Sequence, residues 1–239
     1  TWLLLPHEMG VIAESAAEVV HENLGNSSSI LIGPGLGMED TTKNFLKRIF
    51  SDTQKTKKSK IGFVSAAETE PDEPSTDLPP VVIDADGLKL VSQLNNWAGL
   101  ISKPAVLTPH PGEMAVMTGL EVKEIQDERL EVAETYANRW GHIVVLKGAH
   151  TIVAEPGGRT AVIPVADPAL ARAGSGDVLA GVITGLRAQG LTPYESAICG
   201  AWIHAQSGLL AARSIGTSSS VLAGDIILAI PGVLGSLDR

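Results

Sequence analysis

The sequence predicts an α/β protein of three layers, with a mostly parallel sheet covered by helices. Short apolar runs alternate with helix-period segments through the first two thirds of the 239 residues, the signature of βα units. Beyond Thr160 the pattern is mainly helical, so βα units come first and a helical part follows. With 44% hydrophobic residues, a chain of this length carries the core of one α/β domain. We expect residues 1–239 to form one domain.

The apolar runs place strands at 2–5, 29–32, 61–64, 81–83, 105–107, 142–146, 151–154 and 160–164. Between the first two, Ile12, Ala16, Val19 and Val20 share a stripe, which predicts a helix over 11–24. A second helix is predicted over 129–140. A long one starts at Thr192-Pro193-Tyr194-Glu195, where Thr as N-cap, Pro in the first turn and Glu three residues on form a capping box. Cys199 falls among small residues in that helix and is expected to pack in the core. The last helix covers 225–234. Residues 51–80 combine a basic run with an acidic, proline-rich stretch, and read as an exposed excursion between core elements.

Composition removes several function classes. The formal charge of −9 argues against a general nucleic-acid or membrane-surface role. No stretch reaches the ~18 to 20 apolar residues of a membrane span, and a single cysteine excludes an internal disulfide framework or a cysteine-based zinc site. The histidines show no metal-ligand spacing. A cytoplasmic protein is expected.

Five segments can carry chemistry. The first, Ala173-Gly174-Ser175-Gly176-Asp177, opens a helix whose apolar positions include Val178, Leu179, Val182 and Ile183. Glycines before a helix start let the backbone turn sharply and aim N–H groups at one point, where the helix dipole also favours negative charge. Gly174, Ser175 and Gly176 thus form a candidate nest for a phosphate or oxyanion. Asp177, beside it, is a candidate proton acceptor. A capping loop is the plain alternative.

The other segments leave strand ends, where α/β proteins bind ligands. Gly33-Pro34-Gly35-Leu36-Gly37 fits neither a dinucleotide fingerprint nor a Walker A loop. Asp84 and Asp86 leave a strand in close succession, which is costly unless they are solvated, metal-bound or used on a hydroxylated ligand. Thr108-Pro109-His110-Pro111-Gly112-Glu113 holds one imidazole between two prolines. Lys147, before the Gly148 turn, is a candidate for neutralising phosphate, although a lone lysine in a hairpin is normally solvated. The absence of a G-x-S-x-G elbow argues against a serine hydrolase.

Taken in order, GPGLG at 33–37, VVIDADGL at 81–88, LTPHPGEM at 107–114, VVLKGAHT at 144–151 and AGSGDVLAGVITGLRAQG at 173–190 resemble the ADP/ATP-dependent NAD(P)H-hydrate dehydratases of the ribokinase-like superfamily. The resemblance spans nearly all of the chain except 51–80, and TPHPGE together with GSGDVLAG is specific. It implies a ribokinase-like fold and a repair reaction that restores NADH or NADPH from their hydrates, using ADP (ATP in some relatives) and Mg²⁺ and leaving AMP and phosphate. By the same resemblance Asp177 takes the proton of the ring hydroxyl, and Gly174, Ser175 and Gly176 hold the transferred phosphoryl group. Gly35, Gly37, His110 and Glu113 would contact the hydrated dinucleotide, together with Asp177. Lys147, Gly148, Ala149, His150, Thr151 and Gly176 would hold the adenine nucleotide, with Thr151 favouring ADP. A homo-oligomer is implied as well.

Arg172-Ala173 departs from the small residues common there, and the last position of Asp86-Gly87-Leu88-Lys89 lacks a frequent Asn. The family pattern also begins with a βα unit that would stand before Thr1, so Leu3-Leu4-Leu5 is expected to be a buried strand whose neighbour lies upstream. Two other readings compete: a vitamin- or sugar-type kinase of the same superfamily, and a catalytically silent nucleotide-binding module.

Overall fold

The structure, a computed structural model, describes residues 5–25, 27–51, 78–101 and 104–237. It opens with a hairpin of β1 (His7–Glu8) and β2 (Val11–Ile12). The connecting Met9 and Gly10 both have positive φ, 50° and 82°, as a two-residue hairpin turn requires. This corrects the expected helix over 11–24: the ladder takes up Val11 and Ile12, and α1 runs only over Ala16–Leu24. The apolar stripe was nonetheless real, because Ile12, Ala16 and Val20 belong to one core cluster.

A six-stranded sheet follows, with strands in sequence order: β3 (Ile30–Ile32), β4 (Val81–Ile83), β5 (Val106–Leu107), β6 (Ile143–Leu146), β7 (Ile152–Ala154) and β8 (Thr160–Val162). The first four are parallel, and β7 and β8 return antiparallel. Six predicted strands therefore lie where the sequence puts them, to within two residues. Of the run 2–5 only Leu5 is described; it lies outside any strand and packs on the first core cluster. The run 61–64 and most of 51–80 fall outside the described residues.

Each parallel strand is apolar on both faces because helices cover both. On one side lie α2 (Asp40–Ser51), α3 (Ala85–Val91), α4 (Trp97–Leu100), α5 (Pro111–Thr118), α6 (Val122–Asp127) and α7 (Arg129–Trp140). Val81, Ile83, Leu107, Val144 and Leu146 point to them. On the other side α8 (Ser175–Ala188) and α9 (Pro193–Ile215) cover Val82, Val106, Ile143 and Val145. This split follows from the strand order: right-handed crossovers between sequential parallel strands put every connecting helix on one face. The chain after β8 then supplies the other layer, and α10 (Ala223–Leu237) packs on α9.

α9 begins with the expected capping box: Thr192 Oγ1 accepts from the Glu195 amide at 3.3 Å, and Glu195 Oε2 accepts from the Thr192 amide at 3.0 Å. Its buried stripe runs through Ala197, Gly200, Ala201, His204 and Gly208. Cys199 falls off that stripe and is exposed, contrary to the core position expected for it.

Candidate active site

The loops after β3, β4, β5 and β6 meet at one edge of the sheet. Main-chain bonds tie them together, from Asp84 to the Ile32 carbonyl (3.0 Å), from Thr108 to Ile83 (3.1 Å) and from Lys147 to Pro109 (2.9 Å). The head of α8 reaches the same place.

Gly174 is the N-cap of α8 with φ of 82°, a left-handed conformation that suits glycine. Ser175 donates its amide to the Arg172 carbonyl at 3.0 Å, and Val178 donates to Gly174 at 3.2 Å. Among the described residues, the amides of Gly174, Gly176 and Asp177 have no hydrogen-bond acceptor. Open donors at a helix start form an anion site, although Ser175 contributes no free amide to it. Gly176 has ordinary φ, and its need is space: a Cβ there would lie 3.3 Å from Lys147 Nζ. Asp177, the next residue, is exposed and has no polar partner among the described residues.

Lys147 is not the solvated hairpin lysine that a lone lysine suggests. Its Nζ lies 2.6 Å from Asp84 Oδ1 and 3.5 Å from Glu113 Oε2, and these side chains are only 16%, 1% and 5% exposed. Thr108 Oγ1 donates to Asp84 Oδ1 at 2.8 Å. The two aspartates of the β4 end therefore part company. Asp84 is the buried partner of Lys147, whereas Asp86 accepts from the Gly37 amide at 3.2 Å and pairs with Lys89. Behind the turn, Arg129 donates to the Leu146 carbonyl at 3.0 Å, and burial lowers its pKa.

His110 is the N-cap of α5. Its Nδ1 accepts from the amides of Gly112 (3.0 Å) and Glu113 (3.2 Å), and Glu113 Oε2 accepts from the His110 amide at 2.8 Å. The prolines that the sequence singled out thus frame a capping box, with Pro111 in the first helical turn. The ring is half exposed, and Glu113 is buried beneath it.

A cavity of about 690 Å³ opens beside these groups, within the usual size of a small-molecule site. His110, Lys147, Gly148, Ala149, Thr151, Ser175 and Gly176 line it. Its other wall is apolar, from Ile163, Val165, Leu170, Leu179, Ala201 and Ala205. Gly148 has φ of 143°, and Thr151 Oγ1 donates back to its carbonyl at 3.1 Å. His150, Glu113, Gly174 and Asp177 lie outside the lining. So do Gly35 and Gly37, in the loop after β3, where a Cβ on Gly35 would meet nothing within 4 Å.

Three polar lining residues, Asp167, Arg172 and His204, were given no site role from the sequence. His204 on α9 is buried, with Nε2 3.0 Å from Ser175 Oγ. Burial lowers its pKa to about 4. Arg172 donates to the Ser219 carbonyl. For His204 the only sequence signal is its place on the small-residue stripe of α9. Among the described residues no three His, Cys, Asp or Glu side chains converge as a metal site, and no helix is long and apolar enough to cross a membrane.

The fold is ribokinase-like: it matches a ribokinase-like superfamily protein of Enterococcus faecalis with a TM-score of 0.70 at 23% identity, covering 95% of this chain and 69% of that one. Within that class the chain belongs to the NAD(P)H-hydrate dehydratase family, whose model matches residues 4–231. It is 35% identical, over 96% of its length, to the bifunctional NAD(P)H-hydrate repair enzyme of Moorella thermoacetica, and spans 39% of that protein. It is 40% identical, over 62% of its length, to the ADP-dependent (S)-NAD(P)H-hydrate dehydratase of Neisseria meningitidis, spanning 50% of it. Among solved structures it resembles an ADP/ATP-dependent NAD(P)H-hydrate dehydratase of Bacillus subtilis, co-crystallised with ATP and Mg²⁺ and soaked with CoA. There the TM-score is 0.68 at 27% identity, covering 87% of this chain and 66% of the other.

Proposed function

We propose that the chain is one catalytic domain that dehydrates the hydrates of NADH and NADPH at the expense of ADP, giving the reduced nucleotide, AMP and phosphate. The observation that carries this reading is the open head of α8, where unbonded amides stand next to a cavity of nucleotide size. The relative named ADP-dependent supports the choice of ADP.

Gly176 lines the cavity and Asp177, its neighbour, is exposed outside the lining. A phosphoryl group held at this turn has the nucleotide on one side and open space with a carboxylate on the other. A transfer between two substrates needs that division. In the first step Asp177 accepts the proton of the hydrate's ring hydroxyl, and the oxygen attacks the terminal phosphoryl group of ADP. The bond to AMP breaks and AMP leaves with the electron pair. In the second step the carbon–oxygen bond to the new phosphate breaks, a neighbouring ring proton is lost and the double bond returns. The amides of Gly176 and Asp177 are the donors for charge on the transferring group. His110 and the glycine turn of Gly35 and Gly37 are assigned to the dinucleotide, with Glu113 holding His110 in place. Lys147 to Thr151 are assigned to the adenine nucleotide.

Mg²⁺ fits as an ion that arrives with the nucleotide. Among the described residues no three His, Cys, Asp or Glu side chains form a cage, which suits an ion that takes most of its oxygen ligands from phosphates and water. Asp167 lines the cavity, and neither it nor Asp177 pairs with a cation among the described residues. When bound, the ion neutralises phosphate charge. The same reading carries a cytoplasmic setting and a homo-oligomer, which light scattering on the eluted protein checks.

The test is to incubate the protein with ADP, Mg²⁺ and the hydrate of NADH or NADPH. Reduced-nicotinamide absorbance should return, with AMP and phosphate formed in equal amounts. A stable phosphorylated product would make the protein a kinase, and nucleotide binding without turnover would make it a silent binding module.

A further inference from the structure

Ser175 stands between two glycines in the first turn of α8. Without side chains at 174 and 176, that turn has unusual backbone freedom. Its open amides serve a phosphate only if something fixes their direction. Ser175 is held twice: by its amide to the Arg172 carbonyl, and by its hydroxyl to His204 Nε2 at 3.0 Å. The hydroxyl bond is the one that reaches across to another helix, and both side chains are almost fully buried, at 2% and 7% exposure. His204 lies mid-way along α9, whose Ala201 and Ala205 line the same cavity.

We infer that His204 is the positioning residue of the phosphate nest, because its bond to Ser175 Oγ sets the first turn of α8 so that the Gly176 and Asp177 amides face the nucleotide's phosphates. The inference rests on the proposal that this cavity takes ADP. Burial keeps the ring uncharged at neutral pH, so its contribution is the hydrogen bond and not an ionic attraction. Its effect should therefore follow the phosphates of the ligand and leave the adenosine part alone.

The experiment compares ADP with adenosine as ligands of the wild-type chain, Ser175→Ala, His204→Phe and the double variant. ADP binding is measured by calorimetry and adenosine by ligand-observed NMR. Each single variant should weaken ADP by about fivefold, the worth of one hydrogen bond, with adenosine changed less than twofold. The double variant should bind ADP no more weakly than either single one, because both remove the same bond. Unchanged ADP affinity in Ser175→Ala overturns the inference. So does a parallel loss for ADP and adenosine, which would mean that the cavity has merely loosened. If His204→Phe does not fold, Ser175→Ala alone decides between these results. A wild-type chain that binds no ADP overturns the functional reading itself, and that failure is seen before any variant is made.

Discussion

Replacing Lys147 by methionine keeps most of the stem and deletes the charge. Asp84 and Glu113, 1% and 5% exposed, then face each other's charge with no cation between them. Removing one partner of a buried ion pair costs ~3 to 5 kcal/mol, because it leaves an uncompensated charge. Here the lower end applies. Asp84 keeps its bond from Thr108 and Glu113 its bond from the His110 amide, and the open cavity admits water. We expect Lys147→Met to lose about 3 kcal/mol at neutral pH, measured by urea denaturation. Adding Asp84→Asn to the same chain removes the stranded charge and should return about half of that loss. A single variant within about 0.5 kcal/mol of wild type, or a double variant less stable than the single, would refute the reasoning, since buried pairs are not that weak.

Three other outcomes are expected. Asp177→Asn should lower turnover at least ~10²-fold while leaving ADP affinity nearly unchanged; more than a tenth of the wild-type rate would remove Asp177 from the mechanism. In Gly176→Val the first added carbon already stands 3.3 Å from Lys147 Nζ, so ADP should no longer raise the melting temperature of a chain that still folds. Stability should be complete above pH 6.5 and fall as pH drops towards 4, because unfolding releases a His204 whose pKa is lowered from 6.5 to about 4. The loss is about 3 kcal/mol over that window, and His204→Gln should flatten it; an equally steep acid slope in that variant would assign it to other groups. His142, lowered by burial, adds to the slope in the same direction.

What the sequence could say about the fold came from patterns that act locally. The apolar run at 81–83 and the amphipathic segment 129–140 match β4 and α7 residue for residue, because burial of those side chains and local propensity agree. The helix expected from 11 failed where a turn competed with it. Met9-Gly10 lacks the usual Asn-Gly signature, and the hairpin it closes shows only once both residues are seen at positive φ. Cys199 failed for a simpler reason: a run of small residues hides which side of the helix is buried, and the stripe through Ala197, Ala201 and His204 leaves position 199 outside. At the site, the motifs marked the right loops but not their pairings. Nothing local in Asp84 or Lys147 says that strands 63 residues apart in sequence bring them within 2.6 Å, or that α9 carries an imidazole to Ser175.

Those pairings bear on how the proposed site would attract a phosphate. A lysine beside a glycine turn reads as a counter-ion for the ligand, yet the Lys147 charge is already matched by two buried carboxylates. Arg172 is the other cation in the lining, and Asp167 stands near it in the same wall. Counted with the two carboxylates that pair with Lys147, the side chains at the cavity hold three negative against two positive formal charges, in a chain of net charge −9. Side-chain charge alone would repel a nucleotide. The attraction must come from elements that carry no formal charge, namely the open amides at the head of α8 and the dipole behind them, and from a cation that enters with the ligand. Such donors act at short range and in one direction. That explains why the turn is built from Gly174 and Gly176, which let a phosphate approach the backbone, and why Ser175 between them is held by two hydrogen bonds. A site that relied on lysines would tolerate a loosely placed helix head; this one does not.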